Sequence, residues 1–529
     1  MIIPAPLIPQ RLFGEALLRS AGKNPGKTAI IVKGNKYSYA VLEQSATRLA
    51  GCLQNTGVQK GDRVAIYMHN SFQCAVSIYA ASFAGAVFLV VHPQTKAQKL
   101  QFILNDCKAV VLIGEALHQE EISEAISAAD SVQTLILTGT AAAGQVQERN
   151  VISFEEVVDN PLFSLYPTTV IPNDLSALIY TSGSTGFPKG VMMTHQAMVF
   201  TSWSLIEYLR LTEEERIMLM LPMSFDYGLY QLIMAITVGA TLIIEQSFTF
   251  PASIYKSIET NNPTVFPGVP TIYAMMIASG KEHGLQFPGV QKVTNTAAAL
   301  PADFIPELKK IFPNALIFSM YGLTECKRVC YLEPELVDLK PNSVGKAIPG
   351  TETFLLTPDG NPVKAGENGI LHIRGPHIMA GYWNRPDLTS EMIKPAYIPG
   401  ERMLCSNDWF RMDEEGFLYF QGRNDDIIKS RGEKVSPIEI EKVIYKLNGI
   451  REVAVFGIPD PILGEAIIAC ATVHAGANLI DKDIMKECSR QLELFMIPQK
   501  VLILESMPKS TNGKIDKKEL KNSFLSIKG

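Results

Sequence analysis

No apolar run in this 529-residue chain approaches the roughly 20 residues needed to cross a bilayer. The opening Met1-Ile-Ile-Pro-Ala-Pro6 lacks the charged-then-apolar layout of a secretory leader. Cysteine is sparse and scattered, at Cys52, Cys74, Cys107, Cys326, Cys330, Cys405, Cys470 and Cys488, with no CxxC pair. Neither a zinc ribbon nor a disulfide framework is suggested, and reduced thiols in a cytoplasmic protein are expected. Basic residues are not in excess: 48 Lys and Arg face 53 Asp and Glu, for a net charge of −5. With no basic stripe carrying interleaved aromatics, no nucleic-acid partner is expected. Internal repeats and low-complexity tracts are also missing, which excludes solenoids and long disorder.

What remains is the composition of a globular enzyme, 47% hydrophobic and 19% charged. The length exceeds one compact core, so at least two domains are expected. The first half alternates strand-like and helix-like runs: Ala29–Val32, Ala40–Gln54, Arg63–Met68, Ser71–Gly85, Val87–Val91 and Ala109–Ile113. Thr241–Ile244, Thr264–Phe266 and Leu316–Phe318 continue the rhythm, which predicts largely parallel sheets with helices on their faces. After about Ala347 hairpin signals dominate, such as Pro358–Asn361 and Asp413–Gly416, and a smaller β-rich unit is expected. A further break falls near Gly422–Asp426, and the last ~100 residues read as an independent α+β lid. The predicted class is therefore α/β: a large N-terminal domain of doubly wound sheets with a β-rich subdomain, residues 1–424, and a small mobile α+β domain, residues 425–529.

The most informative stretch is Tyr180-Thr-Ser-Gly-Ser-Thr-Gly-Phe-Pro-Lys-Gly-Val-Met-Met-Thr-His195. Thr181, Ser182, Gly183, Ser184, Thr185 and Gly186 are all hydroxylated or glycine, and Lys189 follows. Glycines let backbone N–H groups converge, hydroxyls add donors, and a lysine adds a point charge, so the loop suits phosphate. A Ser/Gly linker is the bland alternative, but the apolar runs Ala177–Tyr180 and Val191–Met193 bracket it as strands would. No Gly-Lys-Ser/Thr closes it, so it is not a P-loop.

Four other segments carry candidate chemistry. Tyr321-Gly-Leu-Thr-Glu325 follows a strand, where parallel sheets bind ligands, and its carboxylate suits Mg2+; a helix cap is the alternative. Asp408, with Arg423 after Tyr419-Phe420, suits a ribose diol; a turn aspartate and a surface arginine are the alternative. Lys429-Ser-Arg-Gly-Glu-Lys434 reads equally as a solvated charge run. Lys514, after the turn Asn512-Gly513, reads equally as an exposed lysine near a chain end.

The order and spacing of these five segments resemble the superfamily of AMP-forming adenylating enzymes: acyl-CoA ligases, amino-acid adenylation enzymes and luciferases. The resemblance runs from about Gly26 to Leu520. It implies that ATP and a carboxylic acid give an acyl-adenylate and pyrophosphate, and that a pantetheine thiol, on coenzyme A or a carrier protein, then displaces AMP. By the resemblance Thr181–Lys189 grips the phosphates and Glu325 holds Mg2+. Ala298, Ala299, Tyr321, Gly322, Thr324 and Phe420 line adenine and ribose, with Asp408 on the diol assisted by Arg423. Lys514 reaches carboxylate and α-phosphate, Asp425 is the hinge, and Lys429 and Gly432 belong to a second, thioester-forming pose. A scaffold or ATP sensor would be marked by loss of Lys514 or the phosphate loop, and both are present.

The substrate question falls on Leu221-Pro-Met-Ser-Phe-Asp-Tyr-Gly-Leu-Tyr230. Amino-acid adenylation enzymes carry Phe-Asp here, and the resemblance implies that Asp226 meets an α-amino group; a helix cap for a helix starting at Tyr227 is the alternative. The remaining pocket candidates, Tyr227, Tyr230, Met320, Val329 and Cys330, are bulky or apolar and bring no charge. The Val329-Cys330 pair resembles stand-alone prolyl-carrier-protein ligases. A small apolar amino acid such as L-proline, loaded onto a separate carrier protein, is the expectation. A fatty or aryl acid with coenzyme A is the rival.

Overall fold

The computed structural model describes residues 10–139, 149–181, 188–296, 300–423, 426, 428–430, 433–460, 463–492, 496–510 and 514–528. Two large mixed sheets form the bulk. One has nine strands in the spatial order Lys346–Ala347, Cys330–Leu332, Leu316–Tyr321, Lys292–Asn295, Val265–Gly268, Arg216–Leu219, Thr241–Ile244, Thr28–Val32 and Asn35–Ser38. The other has eight: Gly381–Tyr382, Lys189–Thr194, Leu175–Thr181, Val87–Val91, Arg63–Tyr67, Ala109–Glu115, Thr134–Thr138 and Asn150–Ser153. Their centres are parallel, as the βαβ rhythm predicts, and antiparallel pairs finish the edges. Central strands such as Val265–Gly268 and Thr241–Ile244 are buried along their whole length, as helix-covered parallel strands must be. One apolar core joins the two sheets.

A five-stranded antiparallel sheet holds Glu352–Leu356, Asn368–Arg374, Ile393–Pro395, Arg402–Met412 and Leu418–Arg423, the β-rich unit expected after Ala347. The last sheet lies in the C-terminal region. On its strand Ile450–Asp460, side chains alternate between two small cores. Val453 and Val455 pack with Ile440 and Ile484 from the helices Pro437–Tyr445 and Asp481–Gln491. Ala454 and Phe456 pack on the other face with Leu520 and Phe524 of the helix Lys517–Lys528.

Several boundaries differ from expectation. Tyr39 begins a helix, because the Ser38 hydroxyl accepts the Val41 N–H and caps it. The strand at Leu316 runs on to Tyr321, so that tyrosine ends the strand and does not follow it. Asp408 is no turn residue. It sits inside the eleven-residue strand Arg402–Met412, directly opposite Arg423. No described helix is long and apolar enough to cross a membrane.

Candidate active site

The hydroxyl- and glycine-rich segment connects an antiparallel hairpin. Leu175–Thr181 and Lys189–Thr194 pair so that Thr181 stands opposite Lys189. Ser182, Gly183, Ser184, Thr185 and Gly186 lie outside the described residues, but both ends of the loop are fixed. Thr194 caps the next helix by accepting the Ala197 N–H, so the motif encodes strand, turn, strand and cap in sequence. The Thr181 hydroxyl is buried and has no hydrogen-bond partner among the described residues.

A short strand that sequence reasoning missed completes this edge. Gly381–Tyr382 pairs with Val191 and Met192 and brings the Tyr382 ring against Lys189. The Lys189 ammonium donates to Tyr382 Oη at 2.8 Å, and Tyr382 Oη donates to Glu325 Oε1 at 2.6 Å. Lys189 is itself 3.9 Å from that oxygen. Tyr382 thus joins the loop lysine to the acidic end of Tyr321–Glu325 across more than a hundred residues of chain. Both contacts engage Oε1 of a buried carboxylate. Its other oxygen is a hard donor of the kind Mg2+ takes.

Tyr321 donates to Asp408 Oδ2 at 2.5 Å, and its ring packs edge-on against Phe410 and lies stacked with Phe420. Burial pushes the Asp408 carboxyl up to about 6, partly offset by the Arg423 guanidinium and the Tyr321 hydrogen bond. An acceptor paired with an arginine and a phenol in this way can take the two hydroxyls of a diol. Gly322 admits no side chain, since a Cβ there would stand 2.1 Å from the Lys327 carbonyl oxygen. Ala298 and Ala299, with residue 297, lie outside the described residues; the strand Lys292–Asn295 leads into them through Thr296.

Lys514 comes to the same place from the C-terminal region. Desolvation and Arg423 lower its ammonium, Asp226 and Asp408 pull it up, and the net value is about 8. Asp425, Gly432 and the side chain of Lys429 are not described, though the backbone of Lys429 pairs with Lys434 in a short hairpin.

Asp226 is the first residue of the helix Asp226–Val238, whose N-cap is Phe225. The alternative reading, in which Asp226 caps a helix starting at Tyr227, does not match this geometry. A carboxylate in the first turn still gains from the helix dipole. The loop before it lies close over the helix: a Cβ on Gly228 would come within 2.2 Å of the Pro222 carbonyl oxygen. Asn70 pins that loop, donating to the carbonyls of Leu221 and Glu245 and accepting the Met223 N–H.

The candidates named from the sequence bring no charge of their own, but two cations they did not include lie nearby. Arg328, buried, stands 3.7 Å from Asp226 Oδ2 and lies over the Tyr227 ring. Lys327 is buried, its ammonium has no hydrogen-bond partner among the described residues, and desolvation lowers it to about 8 against the pull of Asp226 and Glu325. Both residues directly follow Glu325-Cys326 and were legible as charges, but nothing in the sequence placed them against residue 226. Tyr227, Tyr230, Met320, Val329 and Cys330 are all buried. The hydroxyls of Tyr227 and Tyr273 both donate to the Thr294 carbonyl, each at 2.6 Å. Their rings fill the space beside the strands Val265–Gly268 and Lys292–Asn295.

Residues 17–383 match the family described as AMP-binding enzyme, and residues 439–514 match its C-terminal domain. The chain belongs to the AMP-binding enzyme family. It is 28% identical to the long-chain-fatty-acid–CoA ligase of Bacillus subtilis (strain 168) over 97% of this chain and 94% of that protein. It is equally 28% identical to an L-proline–[L-prolyl-carrier protein] ligase of Pseudomonas fluorescens over 96% of this chain and 98% of that one. ATP-bound MatB from Rhodopseudomonas palustris superposes with a TM-score of 0.85 at 26% identity, covering 97% of this chain and 99% of MatB. An anthranilate CoA ligase in complex with anthranoyl-AMP gives 0.89 at 24% identity, covering 99% of each chain, and bears on the fold alone. This AMP-binding enzyme is an AMP-forming acid–thiol ligase with the α/β fold of its relatives.

Proposed function

We propose that this AMP-binding enzyme adenylates a small apolar amino acid, of which L-proline is the type, and passes the acyl group to the pantetheine thiol of a separate carrier protein. Substrate carboxylate oxygen attacks the α-phosphorus of ATP, the bond to the β-phosphate bridge oxygen breaks, and pyrophosphate leaves. Thr181–Lys189 holds the departing phosphates. Glu325, oriented by Tyr382, would hold Mg2+, and the ion would supply neutralisation of phosphate charge. Asp408 and Arg423 take the ribose, with Tyr321, Phe420 and the 297–299 segment along the adenine. Lys514 meets the charge that builds between carboxylate and α-phosphate; donors placed this way in a dry site contribute strongly. Residues 425–529 act as a lid turning about Asp425, whose second pose withdraws Lys514 and brings Lys429 and Gly432 to the thiol path.

One observation carries the amino-acid reading: Asp226, on a helix N-terminus, has its nearest cation 3.7 Å away, beyond hydrogen-bonding distance. Its oxygens remain able to accept from an α-ammonium. The bulk of the buried pocket candidates Tyr227 and Tyr230 supports a short acid. The same Arg328 favours a second reading. A carboxylate already paired with a guanidinium needs no ammonium, and Asp226 would then only hold Arg328 beside a fatty or aryl acid bound for coenzyme A. Pyrophosphate exchange into ATP, measured across amino acids and across fatty and aryl acids, separates the two. Proline-dependent exchange that falls at least a hundredfold in Asp226→Ala, about the 3 kcal/mol of a lost buried ion pair, is expected. Exchange with fatty or aryl acids alone overturns it.

A further inference from the structure

Outside the adenylation site, the carboxyl ends of two neighbouring parallel strands bring together three metal-ligating side chains. Arg63–Tyr67 and Ala109–Glu115 pair with Tyr67 opposite Gly114, so His69 and Glu115 meet just beyond the sheet edge. A 3-10 turn, Ala116–His118, folds His118 back over them. His69 Nδ1 is 2.7 Å from Glu115 Oε2, and the His69 backbone N–H donates to the other oxygen, Oε1, at 3.1 Å. His118 Nε2 is 3.5 Å from Glu115 Oε2 and is buried without a hydrogen-bond partner. The three ligand atoms all lie within 4.8 Å of one another, and the two imidazole rings stand 5.3 Å apart at 25°.

A hydrogen-bonded His–Glu pair explains two of these residues. It leaves His118 Nε2 aimed at the same oxygen with nothing to bind. Ligand atoms about 2.0–2.1 Å from a tetrahedral ion stand roughly 3.3 Å apart, so small side-chain shifts would suffice. Two imidazole nitrogens and one carboxylate oxygen are a zinc-type donor set; Mg2+, which takes oxygen, is poorly served. The backbone N–H on Oε1 fixes the carboxylate from behind, as partners of metal ligands do. Side chains of the three residues are 17–30% exposed, so the cluster lies close to solvent, and a small turn of the His118 ring would open its buried Nε2 to an entering ion.

We propose that His69, Glu115 and His118 bind one Zn2+, clipping the ends of the two strands to the turn that follows. The proton on His69 Nδ1 leaves to solvent as the nitrogen takes the ion. None of the three residues belongs to the adenylation site; His92, whose ring lies 5.7 Å from that of Phe225, is a titratable neighbour of His69.

The test uses the untagged, chelator-stripped full chain without ATP, titrated with zinc chloride in a calorimeter. All eight cysteines are buried in the fold and offer no rival thiolate site. One zinc per chain is expected, bound at least tenfold more weakly by His118→Ala and by Glu115→Gln and unchanged in His92→Ala. Zinc should raise the unfolding temperature of the wild type and leave that of His118→Ala in place. His118→Gln, which keeps a polar side chain of similar length, serves should the alanine variant fail to fold. Absence of one-to-one binding, equal affinity in the variants, or equal binding of magnesium chloride overturns the assignment.

Discussion

Two lysines share one unusual state, and only one of them is proposed to act on the reacting atoms. Lys514 and Lys327 are both lowered by desolvation to about 8. A lysine lowered in this way is charged below pH 8 and neutral above it, so stabilisation of a developing anion by Lys514 is present at neutral pH and lost as pH rises through 8. The value of kcat/KM for ATP, which reports the free enzyme, is therefore expected to fall above about pH 8. Lys514→Ala should lose on the order of 10²–10³-fold and leave a residual rate without that limb. Lys327→Met should keep the limb. A limb that disappears in Lys327→Met and survives in Lys514→Ala moves the role to the other lysine. Lys514 and Asp226 were singled out by the family resemblance, since by itself each reads as an ordinary exposed lysine or a helix cap. Tyr382, Arg328 and Lys327 stayed invisible as site residues, because their meaning lies in contacts across distant segments: Tyr382 with Lys189 and Glu325, Arg328 with Asp226.

Elements position these side chains through close backbone approaches, and the loop Leu221–Phe225 over the helix Asp226–Val238 is among the closest. Gly228 allows it, since a methyl there would lie 2.2 Å from Pro222 O, 2.5 Å from Leu221 O and 2.7 Å from Pro222 C, all backbone atoms. Gly228→Ala must push the loop off the first helical turn and move Asp226 with it. A loss of about 1–3 kcal/mol, the usual range for overpacking, is expected, read as a lower denaturant midpoint, together with a raised KM for the acid. Gly360→Ala is the control: its φ of +82° brings strain but no side chain or backbone lies within 4 Å, so stability should fall modestly with KM unchanged. An unaltered KM in Gly228→Ala would mean that the loop does not hold Asp226. Strands at this level were legible where they were apolar throughout, as at Thr241–Ile244. Arg402–Met412 was not, because Ser406-Asn407-Asp408 reads as a turn by composition, and Asn407 indeed carries φ +57° within the strand. Cross-strand pairing with Asn368–Arg374 and Leu418–Arg423 overrides that local preference.

At the scale of the molecule, the C-terminal region was legible as a unit from its change of texture, and its two small cores on opposite faces of one sheet bear that reading out. Its placement was not legible, since residue spacing says nothing of where Lys514 meets Asp226 and Asp408. In this structure the region delivers Lys514 to those carboxylates, and the Ser436 hydroxyl donates to the Gln421 carbonyl across the join. The proposed second half-reaction brings the hairpin at Lys429 to the reacting carbonyl in place of Lys514, by rotation of the lid. A hinge works by letting a few backbone angles change widely. Proline fixes φ near −65° and removes that freedom at one residue. Asp425→Pro is therefore expected to retain pyrophosphate exchange within a few-fold of wild type while transfer to the pantetheine thiol falls by more than tenfold. Separate single-turnover measurements of adenylate formation and of thioester formation from preformed adenylate check this split. Equal losses in both would mean that residue 425 supports the adenylation pose itself, and undiminished thioester formation would mean that the lid turns about another residue.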